Sequence, residues 1–193
     1  MTNRQGYINS QFQELEEIFG VIKKLTPKIC EIVDICVKAI KNGNKIIFCG
    51  NGGSASQSQH LCAELVGRYK LEREPMNSIS LTVDTSNLTA IGNDYGFENI
   101  FSRQLKGVGI KGDVIIGLST SGNSKNVLNA FDVAKEKGIT TVALLGRDGG
   151  EMSKVADYSL IVPAKTSAHI QECHLAIGHL ICDLIEKEIY GNN

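Results

Sequence analysis

Three short apolar runs in this chain stop in the same way. Lys45–Cys49 breaks at Gly50-Asn51-Gly52-Gly53-Ser54, Asp113–Leu118 at Ser119-Thr120-Ser121-Gly122-Asn123-Ser124, and Thr140–Leu145 at Gly146-Arg147-Asp148-Gly149-Gly150. β-Branched residues bounded by charge and glycine predict strands. Helical stretches follow them, over 54–68, over Lys125–Lys137 and, briefly, before Tyr158. Strands that alternate with helices pair in parallel, and a parallel sheet has to be covered on both faces. Ser78–Val83 and Tyr158–Val162 bring the expected strands to five. The fold class is therefore α/β, a three-layer α/β/α sandwich with a central five-stranded parallel sheet.

Ahead of the first strand, Ile8, Phe12, Leu15, Phe19 and Ile22 recur at spacings of four and three, a heptad-like seam on a helix from about residue 7 to 25. Such a stripe packs either on its own domain or in a helix bundle between subunits, and so clean a seam favours the bundle. Thr26-Pro27 stops this helix and starts a second, with Ile29, Ile32, Val33, Cys36, Ala39 and Ile40 as its apolar face and Gly43 as its end. After Ser78–Val83 come Leu88–Gly92, a turn at Asn93-Asp94-Tyr95-Gly96, and a helix from about Phe97 to Gly107. Ser167–Tyr190 reads as one long closing helix. No linker or long-period repeat divides the chain, so residues 1–193 form one domain: a helical pair over 1–43, then the sandwich and its last helix over 44–193.

Composition narrows the partners. Hydrophobic residues make up 42% and charged ones 21%, the ordinary balance of a globular protein. The net charge is −1 and no basic run stands out, which disfavours nucleic acid and anionic membrane as partners. Cys30, Cys36, Cys49, Cys62, Cys173 and Cys182 lie mostly in apolar segments without a CxxC pair, as reduced core residues of a cytoplasmic protein do. MTNRQGYINSQFQELEE has no apolar signal core, and no apolar run approaches the ~18 residues a membrane span needs. The expectation is a cytoplasmic protein.

In an open parallel sheet, ligands bind beyond the carboxyl ends of the strands, and two polar loops fall there. Ser119, Thr120, Ser121 and Ser124 offer hydroxyls beside the backbone donors of a helix start, a set that holds a phosphate without a cation. The plainer account is a solvated turn with Ser124 as an N-cap, but four hydroxyls in so short a loop favour phosphate. Gly50-Asn51-Gly52-Gly53-Ser54 lets backbone amides approach an anion or a sugar. Gly50 to Ala55 also satisfies G-x-G-x-x-A, but the acid that a dinucleotide site wants about 20 residues on is met only by Asp84, about 30 residues beyond Gly52, so no nucleotide cofactor is expected. No Lys-Ser/Thr follows the glycines, which removes the P-loop reading.

His60 and Glu64 sit one turn apart on a helix, usually no more than a surface pair. On the closing helix, Gln171, Leu175 and His179 follow at successive turns, and a Gln and a His on an otherwise apolar face need polar partners. Brought together, His60, Glu64, Gln171 and His179 would offer two nitrogens and two oxygens, a plausible Zn²⁺ set. The spacing leaves His169 and His174 open as well. A carboxylate and an imidazole next to a sugar-phosphate site suit aldose–ketose interconversion, in which a base removes the proton α to a carbonyl and an acid protonates its oxygen through an enediol.

CGNGGSASQSQH, GNDYGFENIFSRQ, LSTSGNS and HIQECHLAIGHL together resemble the phosphosugar isomerase (SIS) domain, and within it the sedoheptulose 7-phosphate (phosphoheptose) isomerases, over residues 28 to 189. The resemblance implies conversion of sedoheptulose 7-phosphate to D-glycero-D-manno-heptose 7-phosphate, the first step towards activated heptose for lipopolysaccharide or capsule. It implies that Ser119, Thr120, Ser121 and Ser124 hold the phosphate and that Asn51, Gly52, Gly53, Asn93 and Asp94 line the sugar. It further implies Glu64 as general base, His179 as general acid, and His60, Glu64, Gln171 and His179 as zinc ligands. A homotetramer with its sites between subunits is implied too. Where many members carry an acid three positions before the glutamine, this chain has Ala168. Some SIS proteins are instead non-catalytic tetrameric partners of the replication initiator; SASQSQH and CDLIEKE suit that branch as well, but Glu64 and His179 have no chemical use in it.

Overall fold

The structure, a computed structural model, describes residues 3–191; the outermost two residues at each end of the expected 1–193 domain lie outside the described residues. Helix α1 (Arg4–Ile22) passes through a 3-10 turn at Lys23–Leu25 into α2 (Thr26–Lys41). The βα units follow: β1 (Ile46–Gly50), α3 (Gly53–Val66), β2 (Ser78–Ser80), α4 (Thr85–Tyr95), α5 (Ile100–Val108), β3 (Val114–Ser119) and α6 (Lys125–Lys137). The chain closes with β4 (Thr140–Gly146), α7 (Met152–Val155), β5 (Tyr158–Val162) and α8 (Ser167–Tyr190). All strand pairs are parallel, in the order β2-β1-β3-β4-β5. The five strands are those expected, as are the flanking helices apart from α4.

Alternation along the strands divides the core in two. Ile46, Phe48, Val114, Ile116, Leu118, Val142 and Leu144 pack beneath α2, α3 and α8, with Ile18 and Ile22 of α1 at the margin. Ile47, Cys49, Ile115, Ala143 and Leu145 face α4, α5, α6 and α7. Gly117 turns to the second face, where a Cβ would stand 2.6 Å from Val127, so α6 lies close against β3. The chain leaves β1 for β2 on one side and returns to β3 on the other. That reversal opens a crevice at the carboxyl ends of β1 and β3.

Two boundaries differ from expectation. β2 ends at Ser80, because the Thr82 hydroxyl pairs with Ser80 Oγ at 2.8 Å and reaches Ala55 O of α3 at 3.3 Å, drawing the chain off the sheet edge. Asn93, Asp94 and Tyr95 do not form a turn: they complete α4, which Asp84 caps by accepting from Asn87 N at 2.9 Å and which Gly96 ends with φ of 88°. The α1 seam is covered only at its end. Ile22 is buried, whereas Ile8 and Phe12 stay 51% and 67% exposed. Of the cysteines, none of which is paired, Cys30 is exposed; Cys36 and Cys49 are fully buried, and burial pushes their thiols up to about 12.

Candidate active site

Helices α3 and α8 run side by side over one face of the sheet, and two glycines let them approach. A Cβ on Gly178 would lie 2.6 Å from the Leu61 side chain, and one on Gly53 would lie 2.6 Å from the Gln171 amide. Gln57 reinforces the seam, its Nε2 donating to the Gln171 carbonyl at 2.6 Å. This packing brings His60, Glu64 and His179 together, with one ligand-type atom of each within 4.8 Å of the others. His60 Nε2 lies 3.2 Å from Glu64 Oε1 and 2.9 Å from His179 Nε2. Two imidazole nitrogens this close either share one hydrogen or direct both lone pairs at a cation.

The donor set fits a borderline metal. Two imidazoles and a carboxylate with His60 half-exposed make an open-sided N₂O site, the kind that leaves a position for a substrate oxygen. Gln171 stands apart from the other three expected ligands. It lies two turns before His179 on α8, about 12 Å along the axis, with its amide against Gly53. Tyr69, which the motifs did not single out, places its ring 5.8 Å from that of His179.

The hydroxyl loop after β3 is closely bonded within itself. Ser119 Oγ is 2.8 Å from Ser124 Oγ and 3.5 Å from Ser121 Oγ. Ser119 Oγ accepts from Gly122 N at 3.1 Å, and Ser121 Oγ from Asn123 N at 3.2 Å. Ser124 occupies the N-cap position of α6 yet makes no side-chain cap bond there; its hydroxyl pairs with Ser119 instead. The plain capping account of Ser124 therefore fails. Gly122, at φ of 67°, packs so tightly on the Gly149 carbonyl that no Cβ would fit, so the third glycine-rich loop backs this one. Thr120 Oγ1 lies 3.3 Å from Ser167 Oγ at the start of α8, adding a hydroxyl that the sequence reading missed.

Beside it, Gly52 (φ of 57°) starts α3, and Asn51 spends its amide on Asn126 in a reciprocal pair of bonds at 2.9 and 2.8 Å. A cleft of 490 Å³ opens between this loop and α4, lined by Asn51, Gly52, Thr82, Leu88 and Phe97 among others. Asn93 and Asp94 bond to each other at 2.8 Å on the exposed last turn of α4, next to the cleft residue Gly92. Of the other histidines, His174 is buried, its Nε2–H donating to Leu145 O at 2.9 Å, and burial lowers its pKa to about 4. His169 is buried too, with Nδ1 held by Glu172 at 2.9 Å. Neither belongs to the cluster. Ala168 is exposed at the first turn of α8, and Glu172, one turn on, is engaged by His169.

The family model described as "SIS domain" matches residues 10–146. A phosphoheptose isomerase of Akkermansia muciniphila is 55% identical over 185 residues, covering 96% of this chain and 98% of that protein. That of Sulfurimonas denitrificans is 57% identical over 189 residues, covering 96% and 97%. The solved phosphoheptose isomerase of Neisseria gonorrhoeae superposes with a TM-score of 0.91 at 39% identity, over 96% of this chain and 100% of that one. Similarity of this depth along almost the whole length, on the fold described above, means that the chain belongs to the phosphoheptose isomerase family of SIS-domain proteins.

Proposed function

We propose that the chain interconverts sedoheptulose 7-phosphate and D-glycero-D-manno-heptose 7-phosphate, an intramolecular oxidoreduction. The observation that carries this reading is the meeting of Glu64 and His179, far apart in sequence, in one cluster with His60. Glu64 takes the proton from the carbon α to the carbonyl, and His179 donates a proton to the carbonyl oxygen, giving the enediol. Return of a proton from Glu64 to the former carbonyl carbon, with loss of the hydroxyl proton from the neighbouring oxygen to His179, completes the exchange. Ser119, Thr120, Ser121 and Ser124 grip the phosphate, while Gly52 and Gly53 let the sugar approach the backbone. Asn51 acts mainly as a strut through Asn126. The initiator-partner reading gains nothing from the relatives, which are named as isomerases.

His60, Glu64 and His179 would hold a zinc ion. A bound zinc would supply Lewis-acid polarisation of the carbonyl in place of the proton from His179, whose ring nitrogen would then be a ligand. The helical face of Tyr7, Ile8 and Phe12 left open on α1 supports a homotetramer built around it. The spacing of the two halves supports sites at its subunit interfaces: Thr120 meets α8 at Ser167, whereas His179 lies about 18 Å further along the helix. A cytoplasmic place at the head of heptose supply for lipopolysaccharide or capsule follows from this substrate.

Incubating the purified protein with sedoheptulose 7-phosphate and following the aldose tests the proposal. Appearance of the heptose phosphate is expected; no conversion by folded, zinc-supplied protein would overturn it. Full activity in protein dialysed free of metal would remove zinc from the mechanism.

A further inference from the structure

A helix leaves its last carbonyls without intrahelical partners, and α3 ends at Val66, two residues past Glu64. One side chain collects them. Arg73 donates from Nη2 to Glu64 O at 2.8 Å, and from Nη1 to Leu65 O at 2.8 Å and Gly67 O at 3.0 Å. Its Nε donates to Glu186 Oε2 at 3.1 Å, in a pair whose side chains are each 1% exposed. Glu186 also accepts three consecutive backbone amides, from Tyr69 at 3.0 Å, Lys70 at 2.7 Å and Leu71 at 2.8 Å. Burial pushes its carboxyl up, but the amides of Leu71, Tyr69 and Lys70 and the Arg73 guanidinium outweigh this and hold it below the usual range.

A buried ion pair is a poor device for stability, because desolvation offsets much of the attraction. What this pair does supply is geometry. Arg73 grips the main chain of Glu64 itself. Glu186, about two turns beyond His179 on α8, grips the main chain of Tyr69, whose ring lies against His179. A single ion pair therefore holds the backbone under one member of the acid–base pair and the aromatic neighbour of the other.

We propose that Arg73 and Glu186 are positioning residues that set Glu64 against His179, an inference that rests on the isomerase reading. Neither touches substrate; they act through the end of α3 and the 69–71 turn. The phosphate loop after β3 is built from other residues, so loss of the clamp lowers kcat and leaves KM in place.

Arg73→Lys keeps the charge but cannot span the separate carbonyls, and Glu186→Gln keeps an acceptor but removes the charge. In both, kcat for sedoheptulose 7-phosphate is expected to fall about ten- to a hundredfold, the scale of a misplacement near 1 Å, with KM within about twofold. Zn²⁺ affinity, measured by calorimetry, should fall about tenfold, as when a support behind a ligand is lost. Each variant is assayed below its own melting midpoint, so a merely structural role would leave both quantities unchanged in the folded protein. Unchanged kcat and unchanged zinc affinity in either variant overturn the clamp. An inactive wild type would sink the isomerase reading alone, and the zinc comparison between wild type and Arg73→Lys would then decide the clamp.

Discussion

The His60–Glu64–His179 cluster and the hydroxyl loop are built on opposite plans. The loop's hydroxyls are knit locally: Ser119, Ser121 and Ser124 bond to one another and to amides within five residues, on a turn that Gly149 backs from behind. The cluster is a product of helix packing, with His60 and Glu64 on α3, His179 on α8, and Gly178 beside Leu61 setting how closely the helices meet. A local device tolerates change elsewhere in the fold; a packed one answers to every residue along its seam.

Damage to the two regions should therefore separate kinetically. Glu64→Gln leaves the fold intact and lowers kcat by about 10²-fold or more, the scale of general acid–base catalysis, with KM little changed; near-normal turnover by the purified variant would break the assignment. The seam itself should show acid lability through His174, which anchors α8 to the end of β4. Its folded pKa of about 4 lies below the ordinary histidine value of 6.5, so the unfolded chain takes up the proton first as pH falls. Stability is full above pH 6.5 and is lost on the way down to pH 4, by about 3 kcal/mol in all. Denaturant titrations at both ends of that window check it, and His174→Gln, which keeps a donor for Leu145 O, should flatten the slope.

Gly178→Ala forces a methyl into Leu61, and the overpacking should cost about 1–3 kcal/mol in denaturant unfolding while lowering kcat more than it raises KM. A KM change alone would mean that the seam does not set the cluster. Smallest is Ser121→Ala, which removes one hydroxyl from the proposed phosphate grip and should raise KM about tenfold with kcat within about twofold, a loss on the scale of one hydrogen bond to a charged group. An unchanged KM would take the loop out of phosphate binding.

The same contrast explains what could be read from the chain. Strands and the serine loop announce themselves in consecutive residues, and so they were legible. His60, Glu64 and His179 were legible as candidates because each repeats at helical spacing, but only packing decides which of them meet. Gln171 was grouped with them by the same spacing, yet the bare Cα of Gly53 offers its amide a place two turns away. The start of α4 is set by the Asp84 cap, easily passed over because an acid after a strand also looks like a loop residue. Nothing in the string ties Arg73 to Glu186. Their pairing needs α8 to return alongside the end of α3, a contact across 113 positions.

The unequal depth of the cysteines has a practical side. Burial holds the thiols of Cys36 and Cys49 far from their reactive thiolate form at neutral pH. Cys30 alone is exposed, near the start of α2. A maleimide dye would thus attach first at that position. Its emission would follow, in real time and without substrate, whether the start of α2 is wet or covered.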